Sequence, residues 1–260
     1  MELRLERVTH EKEEVTAYLQ RNLVRNALDI WNLKHDLARC ELYVCRAQGQ
    51  VKGHLGIYHG EDAMYVTLGG TWRATEALLH KIPEKAVLTA PPRLGEIVTG
   101  RLKHDATFAN DIMSVKRGKE RLQVQGSVRR LTQDHAVEYS SFGSSFNAPI
   151  GQMKWIRDRL RKSFVFGAFS EGKLVSVASL VAWLPTVAVI MGVETKREFR
   201  RRGFGGSVVS AAVREGLRRS ESCSLFVRSS NDEAIRLYRR LGFRKVGEEL
   251  WVDRGTGIVP

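Results

Sequence analysis

Two short runs between residues 200 and 243 hold the residue types needed to bind a phosphorylated ligand and to deliver a proton. The first is Arg200-Arg201-Arg202-Gly203-Phe204-Gly205-Gly206-Ser207, set between an apolar run, Val187 to Val193, and an amphipathic stretch, Gly203 to Arg219. That placement predicts a strand-to-helix turn. Glycines without Cβ atoms let the backbone approach a ligand closely. The free N–H groups and positive dipole end of a helix start suit an anion such as a pyrophosphate. The second run opens at Asn231, a good N-cap residue, after the apolar segment Ser224 to Val227. Its Ala234, Leu237, Tyr238 and Leu241 recur at i, i+3, i+4 and i+7, which predicts one buried face of a short helix closed by Gly242.

Other phosphate loops fit less well. A P-loop needs a lysine and a Ser or Thr after its last glycine, whereas Gly206 is followed by Ser207 and Val208. A dinucleotide fold needs an acidic residue at the end of the next strand, and here that strand ends in Arg228-Ser229-Ser230.

Both runs resemble the GNAT superfamily of acyl-CoA-dependent N-acyltransferases. Arg200, Gly203 and Gly205 match the family's pyrophosphate loop, and Asn231, Ala234, Tyr238, Gly242 and Phe243 match its second signature. Gly192-Val193-Glu194-Thr195, with Glu198 and Phe199, is most similar to the glycine N-acyltransferase-like branch. The resemblance covers roughly residues 124 to 255. It implies a ligand site formed by Val193, Thr195, Arg200, Arg201, Arg202, Gly203, Phe204, Gly205, Gly206, Ser207, Asn231, Ala234 and Tyr238. Acetyl-CoA or another short acyl-CoA would be the co-substrate, and no metal would be needed.

The resemblance further implies direct transfer of the acyl group from the thioester to an amine. In the family a backbone N–H on the strand before the loop polarises the thioester carbonyl, which puts those contacts at Val193 and Thr195. Tyr238 matches the tyrosine that protonates the departing thiolate; with an ordinary pKa of about 10, a phenol keeps its proton at neutral pH. Glu194 is the candidate general base, being the only carboxylate on that strand, although period-two alternation sets it on the face opposite Val193 and Thr195. Family members with a glutamate earlier on the strand have it where this chain has Val189 or Ile190, and others have it where this chain has Phe226. Deprotonation through water is the other route. The competing class of function is an acyl-CoA-binding sensor or scaffold without catalysis. The amine acceptor is not readable from any motif; Gly143 to Pro149 is either a cleft-lining loop or a plain connector.

Composition bounds the remainder. At 260 residues, with 43% hydrophobic and 27% charged residues, the chain has the make-up of a folded globular protein of two domains. Leu174 to Val193 is long and apolar, but Pro185-Thr186 interrupts it and it is rich in Val and Ile, which predicts two buried strands rather than a membrane span. The start, Met1-Glu2-Leu3-Arg4, has no apolar leader, so the expectation is a soluble cytoplasmic protein. Cys40, Cys45 and Cys223 show neither Cys-x-x-Cys nor zinc spacing, so no disulfide and no metal is expected.

The formal net charge is +13. Lys196, Arg197, Arg200, Arg201 and Arg202 crowd the phosphate loop, and the remaining excess reads as spread over both halves, as in Lys116-Arg117 with Lys119 and Arg121. Such a field suits an acidic substrate, a nucleic acid or an anionic surface. Nucleic acid has no support from a helix-turn-helix, a finger or an aromatic-interleaved basic stretch.

Hydrophobic periodicity in the second half predicts strands at Val124 to Leu131, Phe164 to Ser170, Leu174 to Trp183, Val187 to Val193, Ser224 to Val227 and Phe243 to Val252. Helices are predicted at Gln133 to Phe142, Gly151 to Lys162, Gly203 to Arg219 and after Asn231. The first half opens with a strand, Leu3 to Val8, helices at Glu11 to Leu23 and Ala27 to Leu37, and a meander of Leu42 to Arg46, Val51 to His59 and Ala63 to Leu68. The same succession twice predicts an α/β chain of α+β mixed-sheet type with tandem GNAT-like domains. Residues 1–120 would be a degenerate copy with a structural or acceptor-cleft role, since Leu68-Gly69-Gly70-Thr71-Trp72 lacks the arginine-glycine spacing. Residues 121–260 would be the acyltransferase domain.

Overall fold

The computed structural model describes residues 2–60, 63–123, 126–142 and 153–258. Along the chain come β1 (Arg4–Val8), α1 (Glu13–Gln20), α2 (Leu23–His35), β2 (Cys40–Ala47), β3 (Gln50–His59), β4 (Met64–Gly70), α3 (Trp72–Leu78), β5 (Ala86–Ala90), α4 (Gly95–Arg101) and β6 (Ala106–Lys116). They are followed by β7 (Ser127–Leu131), α5 (Ala136–Phe142), α6 (Met153–Lys162), β8 (Phe164–Ser170), β9 (Lys173–Trp183), β10 (Val187–Thr195), α7 (Phe204–Arg219), β11 (Ser222–Arg228), α8 (Asp232–Arg240) and β12 (Arg244–Arg254). Two compact units result. One comprises Met1–Ile112, Val227–Ser230 and Gly247–Pro260, the other Met113–Phe226 and Asn231–Val246.

In the first unit the strands run β1-β2-β3-β4-β5-β12. The β2-β3-β4 meander is antiparallel, β4 and β5 pair in parallel over Tyr65↔Val87 to Thr67↔Thr89, and the end of β12 returns antiparallel to β5. Leu55, Ile57, Val66, Leu68, Leu88 and Val252 alternate onto one face and pack with Leu78, Leu94 and Ile97 into one hydrophobic core. The opposite face, beside Leu42 and Val44, holds a buried polar cluster toward α2. Thr67 donates to both oxygens of Asp29 at 2.7 Å, and His54 Nε2 stands 3.7 Å from Asp29 Oδ2. Gly56 makes room for that carboxylate, because a Cβ there would overlap Asp29 Oδ1. Burial pushes the Asp29 carboxyl up to about 6 and the His54 imidazole down to about 3.

In the second unit the order is β11-β10-β9-β8-β7. The β8–β9 hairpin turns through Glu171 and Gly172, both in the left-handed region at φ 50° and 74°, as a two-residue hairpin turn requires. Leu131, Val165, Leu174 and Val177 meet Tyr139, Phe142, Ile156 and Leu160 of α5 and α6 in a second core. The apolar run from Leu174 to Val193 is the antiparallel pair β9–β10, turned at Leu184 to Thr186. No helix among the described residues is long and apolar enough to cross a membrane. Cys45 and Cys223 are buried and Cys40 half-buried, all as free thiols. The described residues include no cluster of three or more His, Cys, Asp or Glu able to hold a metal ion.

Charge divides between the units, against the expectation of an even spread. The second unit has 25 lysines and arginines against 11 aspartates and glutamates, whereas the first has 17 against 18.

Candidate functional site

The site grows from β10, which parts from both of its neighbours. It pairs in parallel with β11 only from Val187↔Ser222 to Ile190↔Leu225. Against β9 its register slips between Met191↔Ser179 and Glu194↔Val177, so one extra residue is accommodated. Gly192, at φ 62°, takes the backbone conformation that this bulge needs. Gly192 and Val193 consequently have no register partner on β9 or on β11. The strand is half-buried from Met191 to Thr195, so its last stretch of backbone lies open beside a splayed parallel pair.

Ser176, fully buried on β9, ties the end of the strand. Its hydroxyl donates to the Glu194 carbonyl at 2.8 Å and shares a 2.8 Å hydrogen bond with the Thr195 hydroxyl. Sequence reasoning passed over Ser176; its one signal is a small polar residue inside the apolar run Leu174 to Leu180.

A short 3-10 turn, Arg197–Phe199, then leads into the arginine-glycine loop. Arg200 bends back to donate from Nε to the Thr195 carbonyl at 3.2 Å. Arg201 sits at φ 59°, uncommon for a residue with a Cβ, and Gly203 at φ 84°, ψ −9° caps α7 without offering a side chain. A helix start has N–H groups with no intrahelical acceptor, and a glycine cap leaves them open. Arg200, Arg201, Arg202 and Gly203 are exposed, with Arg202 lying over the Phe199 and Phe204 rings at 5.2 and 5.5 Å. Ser207 does not point outward: its hydroxyl donates to the Gly203 carbonyl at 3.1 Å. The matching helix of the first unit differs where it matters. The Thr71 hydroxyl accepts from Ala74 N at 3.4 Å, so that helix caps itself.

The second signature is brought against the first by packing. Asn231 Oδ1 accepts from Ala234 N at 3.1 Å and starts α8. Leu237 then lies 3.6 and 3.4 Å from where Cβ atoms would stand on Gly205 and Gly206, and Thr195 Oγ1 only 3.1 Å from that of Gly205. Larger residues at either glycine would push α7 away from α8 and β10. Gly242, at φ 97°, ends α8 where a Cβ would overlap the Lys119 carbonyl. Tyr238 is buried on α8 at 5% exposure with its ring 5.9 Å from Phe243, and burial pushes its phenol above the ordinary range. Glu194 is half-buried near the end of β10. The loop Gly143 to Pro149 lies outside the described residues.

The FR47-like protein family matches residues 165–252, which contain both signatures. Among solved structures the chain is similar to a Drosophila protein from structural genomics, at 15% identity and TM-score 0.66 over 93% of this chain and 88% of that one. A GCN5-related N-acetyltransferase from Sphaerobacter thermophilus is 13% identical with TM-score 0.62, covering 95% and 94%. A tandem GNAT protein from the clavulanic acid biosynthesis pathway is 15% identical with TM-score 0.59 over 100% of both chains. No curated protein matches. At these identities the likeness is one of fold: a mixed sheet in a GNAT-like tandem arrangement.

Proposed function

We propose that the protein is an acyl-CoA-dependent N-acyltransferase that moves an acetyl or other short acyl group to an amine, with its site in the second unit. The observation that carries this reading is the splayed, bulged end of β10 running straight into a helix start that a left-handed glycine leaves uncapped. That geometry suits an elongated ligand with an anionic head. The open backbone at Gly192 and Val193 can pair with an amide-bearing arm, and the N–H groups of Phe204, Gly205 and Gly206 can meet a pyrophosphate. Arg200, Arg201 and Arg202 supply compensating charge, and the small residues at 205 and 206 keep the loop close-packed on Leu237 and Thr195. The residues therefore fit an acyl-CoA co-substrate.

In the reaction the amine nitrogen attacks the thioester carbon as the C–S bond breaks. The Val193 N–H faces the carbonyl oxygen and stabilises the charge that develops there. Tyr238, held protonated by burial, gives its proton to the departing thiolate, and the amine's proton leaves through Glu194 or water. The first unit, with its self-capped helix, is a degenerate copy with a structural role.

Calorimetry with acetyl-CoA, followed by thiol-release assays over an amine panel, tests the proposal. Micromolar binding with turnover of at least one amine is expected. Absence of binding by folded protein would sink it, and binding without turnover on any amine would favour the sensor reading.

A further inference from the structure

The second unit has more cationic side chains than one phosphate loop can use, and a set of them gathers at the far end of α7. That helix has 16 residues, so about 24 Å at 1.5 Å per residue separates Gly203 from Arg219. Around Arg219 three elements contribute to one surface. Phe164 opens β8 and Trp183 ends β9, with ring centroids 5.1 Å apart and edge to face at 70°. Arg219 lies 4.5 Å from the Phe164 centroid and 5.5 Å from that of Trp183, and Arg130 of β7 lies 4.1 Å from Phe164. Both arginines are exposed and both rings half-buried. Glu215 pairs with Arg219 at 2.7 Å, whereas Arg130 has no carboxylate partner among the described residues.

We propose that this surface binds single-stranded nucleic acid. Flat guanidinium groups laid on aromatic rings present stacking planes and positive charge together, which is what an unpaired, phosphate-linked chain of bases requires. An acidic peptide would use the charge but gain nothing from the planes. A lipid surface would call for apolar side chains standing proud of the charge, whereas here the rings lie beneath it. The surface is separate from the phosphate loop and independent of the acyltransferase reading.

The test is fluorescence anisotropy of a labelled single-stranded oligouridylate with the full chain. Two neutralised phosphates predict about a sevenfold loss of affinity between about 50 and about 200 mM salt. The double variant R130Q/R219Q should lose most of that salt dependence and bind at least about fivefold more weakly, while the equal-charge control R236Q/R240Q on α8 should lose less than about twofold. Saturating acetyl-CoA should leave binding unchanged. Equal losses from the two double variants, displacement by acetyl-CoA, or binding to phosphatidylserine vesicles but not to the oligonucleotide would each overturn the proposal. All substitutions are at exposed positions, and circular dichroism verifies that the variants fold.

Discussion

Replacing Gly203 with Glu puts a carboxylate at the mouth of the α7 N-terminus, where the phosphate reading places two negative charges. Two unit charges about 4 Å apart repel by about 1 kcal/mol in water and about 4 kcal/mol at an effective dielectric of 20. Gly203 is exposed, so the lower part of that range applies. Facing two phosphate charges, the carboxylate should cost about 2 to 4 kcal/mol of binding, or about 30- to 1000-fold in Kd. The substitution also forces a side chain into φ 84°, ψ −9°, which costs about 1 to 2 kcal/mol of folding stability. That strain is present with and without ligand, so it lowers Tm and not affinity. Gly203→Asn separates the two, since asparagine tolerates the left-handed region and adds no charge. Calorimetry with acetyl-CoA should find the Gly203→Asn variant binding close to the parent and the Gly203→Glu variant binding far more weakly, with thermal melts showing both folded. A Kd for the Glu variant within about threefold of the parent, a difference of about 0.7 kcal/mol, would refute the placement of phosphate at this helix start.

Tyr238→Phe keeps the packing on Phe243 and removes the proton source, so turnover should fall by about 10²- to 10⁴-fold with acyl-CoA affinity unchanged; a loss confined to affinity would remove Tyr238 from acid catalysis. Gly242→Ala places a Cβ on the Lys119 carbonyl at φ 97° and should cost more than about 2 kcal/mol in urea unfolding. Asp29 and His54 set opposing pH dependences. The raised Asp29 value contributes stability that is lost as pH rises from about 4 to about 6, and the depressed His54 value contributes stability gained as pH rises from about 3 to 6.5. Asp29→Asn should therefore steepen the rise in stability between about pH 4 and pH 6, measured by denaturant titration across that interval. Ser176→Ala removes both hydrogen bonds that hold the end of β10 and should raise the KM for acyl-CoA more than it lowers kcat.

Much of the second unit was legible because its signals are local. Val187 to Val193, the glycines of 203 to 206, the N-cap Asn231 and the closing Gly242 each state a backbone conformation through their own chemistry, and each element formed within a few residues of its expected bounds. The meander of the first half was legible for the same reason, with period-two alternation broken at Gln48-Gly49. From Thr71 to Arg121 the elements α3, β5, α4 and β6 went unread: the two seven-residue helices and the five-residue β5 give periodicity too little length to register, and the eleven-residue β6 was missed with them.

What the sequence determined by itself is the set of conformations and chemical groups: an arginine-glycine turn at a helix start, an N-capped helix with a tyrosine on its apolar face, and a chain rich in arginine. Tertiary structure decided which of these meet. The β10 bulge that frees Val193 depends on register against β9, Leu237 closes on Gly205 and Gly206 only when α8 packs against α7, and the end of β12, from Leu250 to Arg254, pairs with β5, some 160 positions earlier in the chain. The basic aromatic surface is the clearest case. No linear stretch holds Arg130, Phe164, Trp183 and Arg219, yet they come together because neighbouring strands lie about 5 Å apart whatever their separation in sequence. Local conformation is a property of a few consecutive residues, whereas a surface is a property of the sheet that gathers distant ones.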